Sequence, residues 1–209
     1  MENIFNLSNI QINNDMTDSE EENKIAMEKY QNEKKLKQWQ KMKIPSKFYS
    51  YTWDNIDLSN ADFKSYVEKL KKWKDDNNKK SLCFTGSYGS GKTLLATLLC
   101  KDLNGVYTRS SYLINDINEC KNFKSEKTVN EKIEEYGKTP FLVIDEVGRG
   151  PQENDLLFQV INESLENDNI VLLVSNLSIN DMGKLPGGAM QDRLKTFNVL
   201  TFINKSYRK

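Results

Sequence analysis

The sequence predicts a three-layer α/β/α domain on a five-stranded, mainly parallel sheet, preceded by a short helical extension. Three observations carry this. From residue 81 to residue 203, apolar runs of strand length alternate with runs of helix length, the pattern of a sheet covered on both faces. A glycine-rich turn, GSYGSGKT over 86–93, lies between the first strand and the helix after it. The strands FLVIDE and IVLLVSN stay apolar until their C-terminal tips, which carry Asp145 with Glu146 and Ser175 with Asn176. Ligands bind beyond that edge in open α/β sheets.

The elements follow in order. From Ser19 to about Lys41 the sequence predicts a polar helix opened by a capping box, Ser19 with Glu22 three residues later. Its apolar positions Ile25, Leu36 and Trp39 are too sparse for it to fold alone. Its first part is acidic and its second basic, so it reads either as a solvated linker or as a docking element for a partner. Residues 1–43 are thus set apart as an N-terminal helical extension, and 44–209 form the main domain.

Pro45 interrupts the pattern, and IPSKFYSYTWDNI then supplies a cluster of aromatic and large apolar residues. In ADFKSYVEKLKKWK the residues Phe63, Val67, Leu70 and Trp73 share one helical face, which predicts packing on a core. After the turn DDNNKK come strand SLCFT, the glycine-rich turn, helix KTLLATLLCKDL, strand GVYTR and helix SSYLINDINEC. A polar stretch with the short helix TVNEKIEEYG leads to strand FLVIDE. Helix NDLLFQVINESLEND, strand NIVLLVSN, helix GGAMQDRLK and strand FNVLTFI complete the alternation.

Composition bounds the function. A chain of 209 residues buries one substantial core. Its 30 basic and 30 acidic residues cancel, so contact with nucleic acid or an anionic membrane requires a local patch. No apolar run has the length of a membrane span, and the start MENIFNLSNIQINND has neither a basic n-region nor an apolar h-region. This predicts a cytoplasmic protein without membrane contact. Cys83, Cys100 and Cys120 are far apart and the chain lacks histidine, which excludes common zinc spacings and argues against a disulfide framework. They read as buried small apolar residues. Arginine stands only at 109, 149, 193 and 208, all other basic residues being lysine, a low-GC bias such as a phage or its host shows. Each arginine therefore marks a place to ask whether a planar fork is needed.

The chemistry begins in the glycine-rich turn. Gly86, Gly89 and Gly91 let the backbone curl through Ser87, Tyr88 and Ser90 so that successive N–H groups face phosphate oxygens, and the helix that opens with Lys92, Thr93 and Leu94 adds its dipole. Lys92 bridges the β- and γ-phosphates of ATP and Thr93 ligates Mg²⁺ in such a loop. Asp145 is the expected second Mg²⁺ ligand, direct or through water, and Glu146 the residue that orients and deprotonates the attacking water. An acidic pair at a strand tip also serves as a helix N-cap, but its position after the phosphate loop, with strand and helices between, favours the nucleotide site. Asn176 at the neighbouring tip suits an amide that senses the γ-phosphate and the lytic water. Arg193, remote in sequence, either reaches the γ-phosphate of a neighbouring copy or forms a surface ion pair with Asp192 or Glu166.

These residues, in order, resemble the DnaC/DnaI-type helicase loaders and the related IstB transposition ATPases of the AAA+ superfamily. The resemblance covers 44–209 and rests on IPSKFYSYTWDNI, GSYGSGKT, FLVIDEVG, LLVSN followed by LSINDM, AMQDRLK and the SYR ending. It implies Walker roles for Lys92, Thr93, Asp145 and Glu146, a sensor 1 role for Asn176, and an inter-subunit arginine finger in Arg193, through which copies self-associate. It places Arg208 near the nucleotide. It implies a hexameric replicative helicase of the DnaB type as partner, and single-stranded DNA as ligand, for which Arg109, Tyr112, Lys121, Phe123 and Lys124 offer cations and aromatics; Tyr112 and Phe123 equally suit a core. Two departures stand out. Only about 43 residues precede the core, with no cysteine for the zinc-binding N-terminal domain of many loaders, and the sequence stops at the last predicted strand, without a helical lid. A lidless site implies weak hydrolysis that depends on partners. The resemblance also leaves open a transposase regulator, or a loader mimic that blocks host replication.

Overall fold

The computed structural model describes residues 8–122, 125–148, 155–184 and 189–203. The chain divides into two compact units, Met1–Gln40 and Lys41–Lys209.

The described residues of the first unit form one helix, α1 (Ser8–Lys41), exposed along 23–38. It begins well before Ser19, so Ser19 and Glu22 lie inside it rather than at an N-cap. The physical reason is the absence of a breaker: no glycine or proline precedes Pro45, and Glu, Lys, Gln and Met propagate a helix through a capping-box pattern as readily as they start one.

In the second unit, a 3-10 turn (Ser46–Phe48) leads to α2 (Ala61–Asp75), whose N-cap Asn60 accepts from the Phe63 backbone N–H. The predicted face is buried: Phe63, Val67, Leu70 and Trp73, joined by Tyr66. Then come β1 (Leu82–Gly86), α3 (Lys92–Asp102), β2 (Val106–Arg109), α4 (Ser110–Glu119), α5 (Val129–Gly137) and β3 (Phe141–Val147). A capping box, Thr128 with Glu131, opens α5. After α6 (Asp155–Glu166) and β4 (Ile170–Ser175) comes α7 (Ile179–Gly183), capped by Ser178 and not anticipated from sequence; α8 (Ala189–Leu194) and β5 (Asn198–Phe202) complete the described chain.

All strands are parallel, in the order β2-β3-β4-β1-β5. The central strands are apolar on both faces because helices cover both, and Leu82, Leu142, Val143, Ile144, Leu172 and Leu173 are fully enclosed. Cys83 and Cys100 are buried, and burial pushes each thiol up to about 12; Cys120 is half-buried. Among the described residues no helix is long and apolar enough to cross a membrane.

This order places β1, β3 and β4 side by side, so the phosphate loop, the acidic tip and the amide tip meet at one edge. Packing from α2 fixes the loop there. At Gly91, with φ +92°, an added Cβ would lie 2.4 Å from the Phe63 ring; at Gly86, with φ +108°, it would lie 2.2 Å from the Phe202 carbonyl oxygen. Neither position admits a side chain. The Tyr66 hydroxyl donates to the Thr201 carbonyl and accepts from the Ile203 N–H, tying α2 to the β5 edge.

Candidate nucleotide-binding site

One cleft of about 330 Å³ is lined by Tyr88 to Leu94, Asp145, Glu146, Ser175 and Asn176. Gly86 and Ser87 form the base of the loop. The buried Lys92 ammonium donates to the carbonyls of Gly86 (2.7 Å) and Ser87 (2.6 Å) and to Ser90 Oγ (3.3 Å), while the Ser90 hydroxyl donates to the Ser87 carbonyl (2.8 Å). The loop thus closes on its own lysine, which concentrates positive charge beside the N-terminus of α3.

A regular strand sends neighbouring side chains to opposite faces, so Asp145 and Glu146 should not share a cleft. They do, because the register between β3 and β4 shifts between Ile144 and Val147 and Glu146 adopts φ +61°, a left-handed backbone unusual outside glycine. The bulge is fastened on both sides. The Ser110 hydroxyl donates to the Glu146 carbonyl (3.1 Å), and the Ser175 hydroxyl donates to the Val147 carbonyl (2.7 Å) while accepting from the Leu177 N–H (3.0 Å).

Asp145 is buried, yet both carboxylate oxygens are held: Oδ1 accepts from the Glu146 N–H (2.7 Å) and Oδ2 from the Tyr107 hydroxyl (2.7 Å). Burial, together with the Asp145 charge and this hydrogen bond, pushes the Tyr107 hydroxyl pKa well up, so it remains a donor. Each oxygen keeps a further lone pair, and the hydroxyl of Thr93 lines the same cleft. One carboxylate and one hydroxyl form an all-oxygen donor set that suits Mg²⁺, which takes few protein ligands and fills its octahedron with water and phosphate.

Lys47, Phe48 and Tyr51 also wall the cleft; in sequence they belong only to an aromatic lead, which carries no sign of a binding role. Tyr107 was likewise missed. Arg193 does not line this cleft: half-buried on α8, it donates from Nε to Asn162 Oδ1 on α6, and among the described residues it forms no ion pair with Asp192 or Glu166. Arg208 and Arg149 lie outside the described residues.

A second cleft opens beyond β2, lined by Lys43, Tyr107, Arg109, Tyr112, Asp116 and Tyr136 among others. The Arg109 guanidinium lies 5.3 Å from the centroid of the exposed Tyr112 ring. Burial lowers the Arg109 pKa, but the neighbouring Glu146 charge and the hydroxyls of Tyr107 and Tyr112 outweigh it and raise the value. Tyr112 is therefore not core. Lys121 is exposed but does not line this cleft, and Phe123 and Lys124 lie outside the described residues.

The profile of the IstB-like ATP binding protein family matches residues 12–209. The chain belongs to this family. Its match extends through most of α1 as well as the sheet domain. The replicative helicase loader DnaC of Escherichia coli K12 is 26% identical over 149 residues, covering 67% of this chain and 58% of DnaC. The loader DnaI of Bacillus subtilis 168 is 25% identical over 131 residues, covering 60% of this chain and 42% of DnaI. The chain thus matches about half the length of these curated relatives. Among solved structures, a DnaC helicase loader aligns with TM-score 0.63 at 17% identity, covering 76% of this chain and 99% of that one. A DnaA initiator bound to AMPPCP and single-stranded DNA aligns with TM-score 0.62 at 17% identity, covering 78% of this chain and 51% of that one. At those identities the likeness establishes the fold alone, a three-layer α/β domain with a phosphate loop after its first strand.

Proposed function

We propose that this protein is an ATP-dependent loader of a hexameric replicative helicase, of the DnaB type, onto single-stranded DNA. The observation that carries the reading is the convergence of Lys92, Thr93, Asp145, Glu146 and Asn176 on one cleft, in a chain whose curated relatives include the helicase loaders DnaC and DnaI.

In this reading the loop amides and Lys92 hold the ATP phosphates. Thr93 and Asp145 would hold Mg²⁺, which would supply neutralisation of phosphate charge when bound. Glu146, turned into the cleft by its left-handed backbone, accepts the proton of the attacking water, and Asn176 hydrogen-bonds that water and the γ-phosphate. Arg193, outside its own cleft, acts in a neighbouring copy's cleft and so makes hydrolysis depend on assembly. Hydrolysis is weak in the isolated chain for that reason.

The helix α1 grips the helicase. Its exposed Ile25, Met27, Tyr30 and Leu36 supply apolar contacts on an otherwise mostly polar helix. Single-stranded DNA lies along the second cleft, with a base stacked on Tyr112 and phosphate held by Arg109 and Lys43.

The test is the mass of the complex formed with the replicative helicase of the source organism, with and without ATP, using Lys92→Ala as control. An ATP-dependent complex lost in the variant is expected. Absence of a complex in every nucleotide state would overturn the reading and turn attention to duplex DNA and a transposase.

A further inference from the structure

Lys101 stands on the last turn of α3 and takes no part in the phosphate loop, yet its ammonium donates to three backbone carbonyls of the preceding segment: Phe48 (2.7 Å), Tyr49 (3.1 Å) and Tyr51 (2.8 Å). The Phe48 carbonyl also accepts from the Tyr51 N–H (3.3 Å), so the Lys101 ammonium adds a second donor at the end of the 3-10 turn and ties that segment to α3. Burial lowers the Lys101 pKa from the ordinary lysine value, against the opposing charge of Asp102, as expected for an ammonium committed to protein acceptors rather than water.

Two of the three carbonyls that Lys101 gathers belong to Phe48 and Tyr51, which line the nucleotide cleft. Their rings lie 6.3 Å apart, tilted by 56°, and Lys47 Nζ lies 4.9 Å from the Phe48 ring centroid. The phosphate-holding groups gather at the N-terminal end of α3, whereas these aromatics enter from a chain segment anchored at its C-terminal end. The cleft therefore has a phosphate end built of amides and ammonium, and a wall of two aromatic rings, which have no phosphate-binding chemistry of their own, beside the Lys47 ammonium.

We infer that Phe48 and Tyr51 form the wall against which the nucleotide base packs, and that Lys101 is the positioning residue that fixes this wall to the phosphate-loop helix. The inference rests on the ATP reading of the cleft and adds base recognition to it. A flat, apolar heterocycle suits an aromatic wall, while a bare polyphosphate gains nothing from it. One helix then carries both the phosphate grip at its start and the tether of the base wall near its end, so the two ends of the ligand are held at a fixed separation.

The experiment measures dissociation constants for MgATP and for inorganic tripolyphosphate with Mg²⁺, by calorimetry, in the unaltered full chain and in Phe48→Ala, Lys101→Met, Lys101→Arg and Lys92→Ala. Phe48→Ala and Lys101→Met are expected to weaken ATP binding about tenfold, with tripolyphosphate changed by less than about twofold. Lys92→Ala should weaken both ligands, and Lys101→Arg should recover part of the loss. If Lys101→Met does not fold, Phe48→Ala decides alone. The inference is overturned if these changes weaken both ligands alike or neither, or if the unaltered protein binds tripolyphosphate as tightly as ATP, a result that leaves the phosphate-loop reading standing. Binding of neither ligand by the unaltered protein would overturn the ATP reading and this inference together.

Discussion

Glu146 occupies a backbone conformation that favours glycine, and the sequence of stabilities among its variants should show it. At φ +61° a residue with a Cβ bears about 1–2 kcal/mol of steric strain, whereas glycine bears none but loses about 0.5–1 kcal/mol more backbone entropy on folding. Glu146→Ala and Glu146→Gly remove the same carboxylate contacts, so the difference between them isolates the backbone. Glycine is expected to be the more stable by about 1 kcal/mol, or about 2–4 °C in melting temperature for a domain of this size. In an ordinary strand the sign is opposite, since alanine there outranks glycine. The assay is thermal unfolding of the two variants side by side. A Glu146→Ala variant equal to or more stable than Glu146→Gly would refute the strained bulge, and with it the explanation of how Asp145 and Glu146 come to share one cleft.

Three further outcomes follow from the site and the core. Lys92→Ala should abolish the rise in melting temperature that ATP produces, because ligand stabilises only in proportion to its binding, while Glu146→Gln should keep that rise and lose hydrolysis; the pair is checked by thermal shift and phosphate release. Tyr107→Phe leaves Asp145 Oδ2 without its buried donor and should cost about 1–3 kcal/mol in urea denaturation, together with a higher Mg²⁺ requirement for hydrolysis. An unchanged urea midpoint would contradict the role given to Tyr107. Cys83 and Cys100 are raised from 9.0 to about 12, so between those values the unfolded chain has released protons that the folded chain keeps. Their contribution to stability is complete below about pH 9 and is lost as pH rises toward 12. Alkaline unfolding should therefore be shallower in a Cys83→Ala, Cys100→Ala double variant.

The sheet was legible because its strands are apolar runs closed by polar tips, and the phosphate loop because three glycines, a lysine and a threonine at fixed spacing have few other uses. The start of α1 was not, because a capping-box pattern marks a start only when something stops the helix before it, and nothing does. The helix α7 is too short for periodicity to reveal it. The cleft's aromatic wall was hidden for a different reason: in sequence Phe48 and Tyr51 are only part of an aromatic lead, and the ammonium that holds their segment to α3 comes from Lys101, about 50 positions away. The bulge at Glu146 has no local signature either, since a glutamate at that φ is held by Ser110 and by the β4 tip rather than favoured by its own chemistry.

The loader assignment is tested most directly by adding the helicase to closed single-stranded DNA circles and measuring unwinding of an annealed strand, with and without this protein and ATP. Unwinding should require both, be lost with Lys92→Ala, and be lost with Arg193→Ala but regained when the two variants are mixed, since a Lys92→Ala copy can supply its Arg193 to the intact cleft of an Arg193→Ala copy. Unwinding that is unaffected by the protein, or suppressed by it, would contradict the account; suppression would identify an inhibitor of the helicase instead.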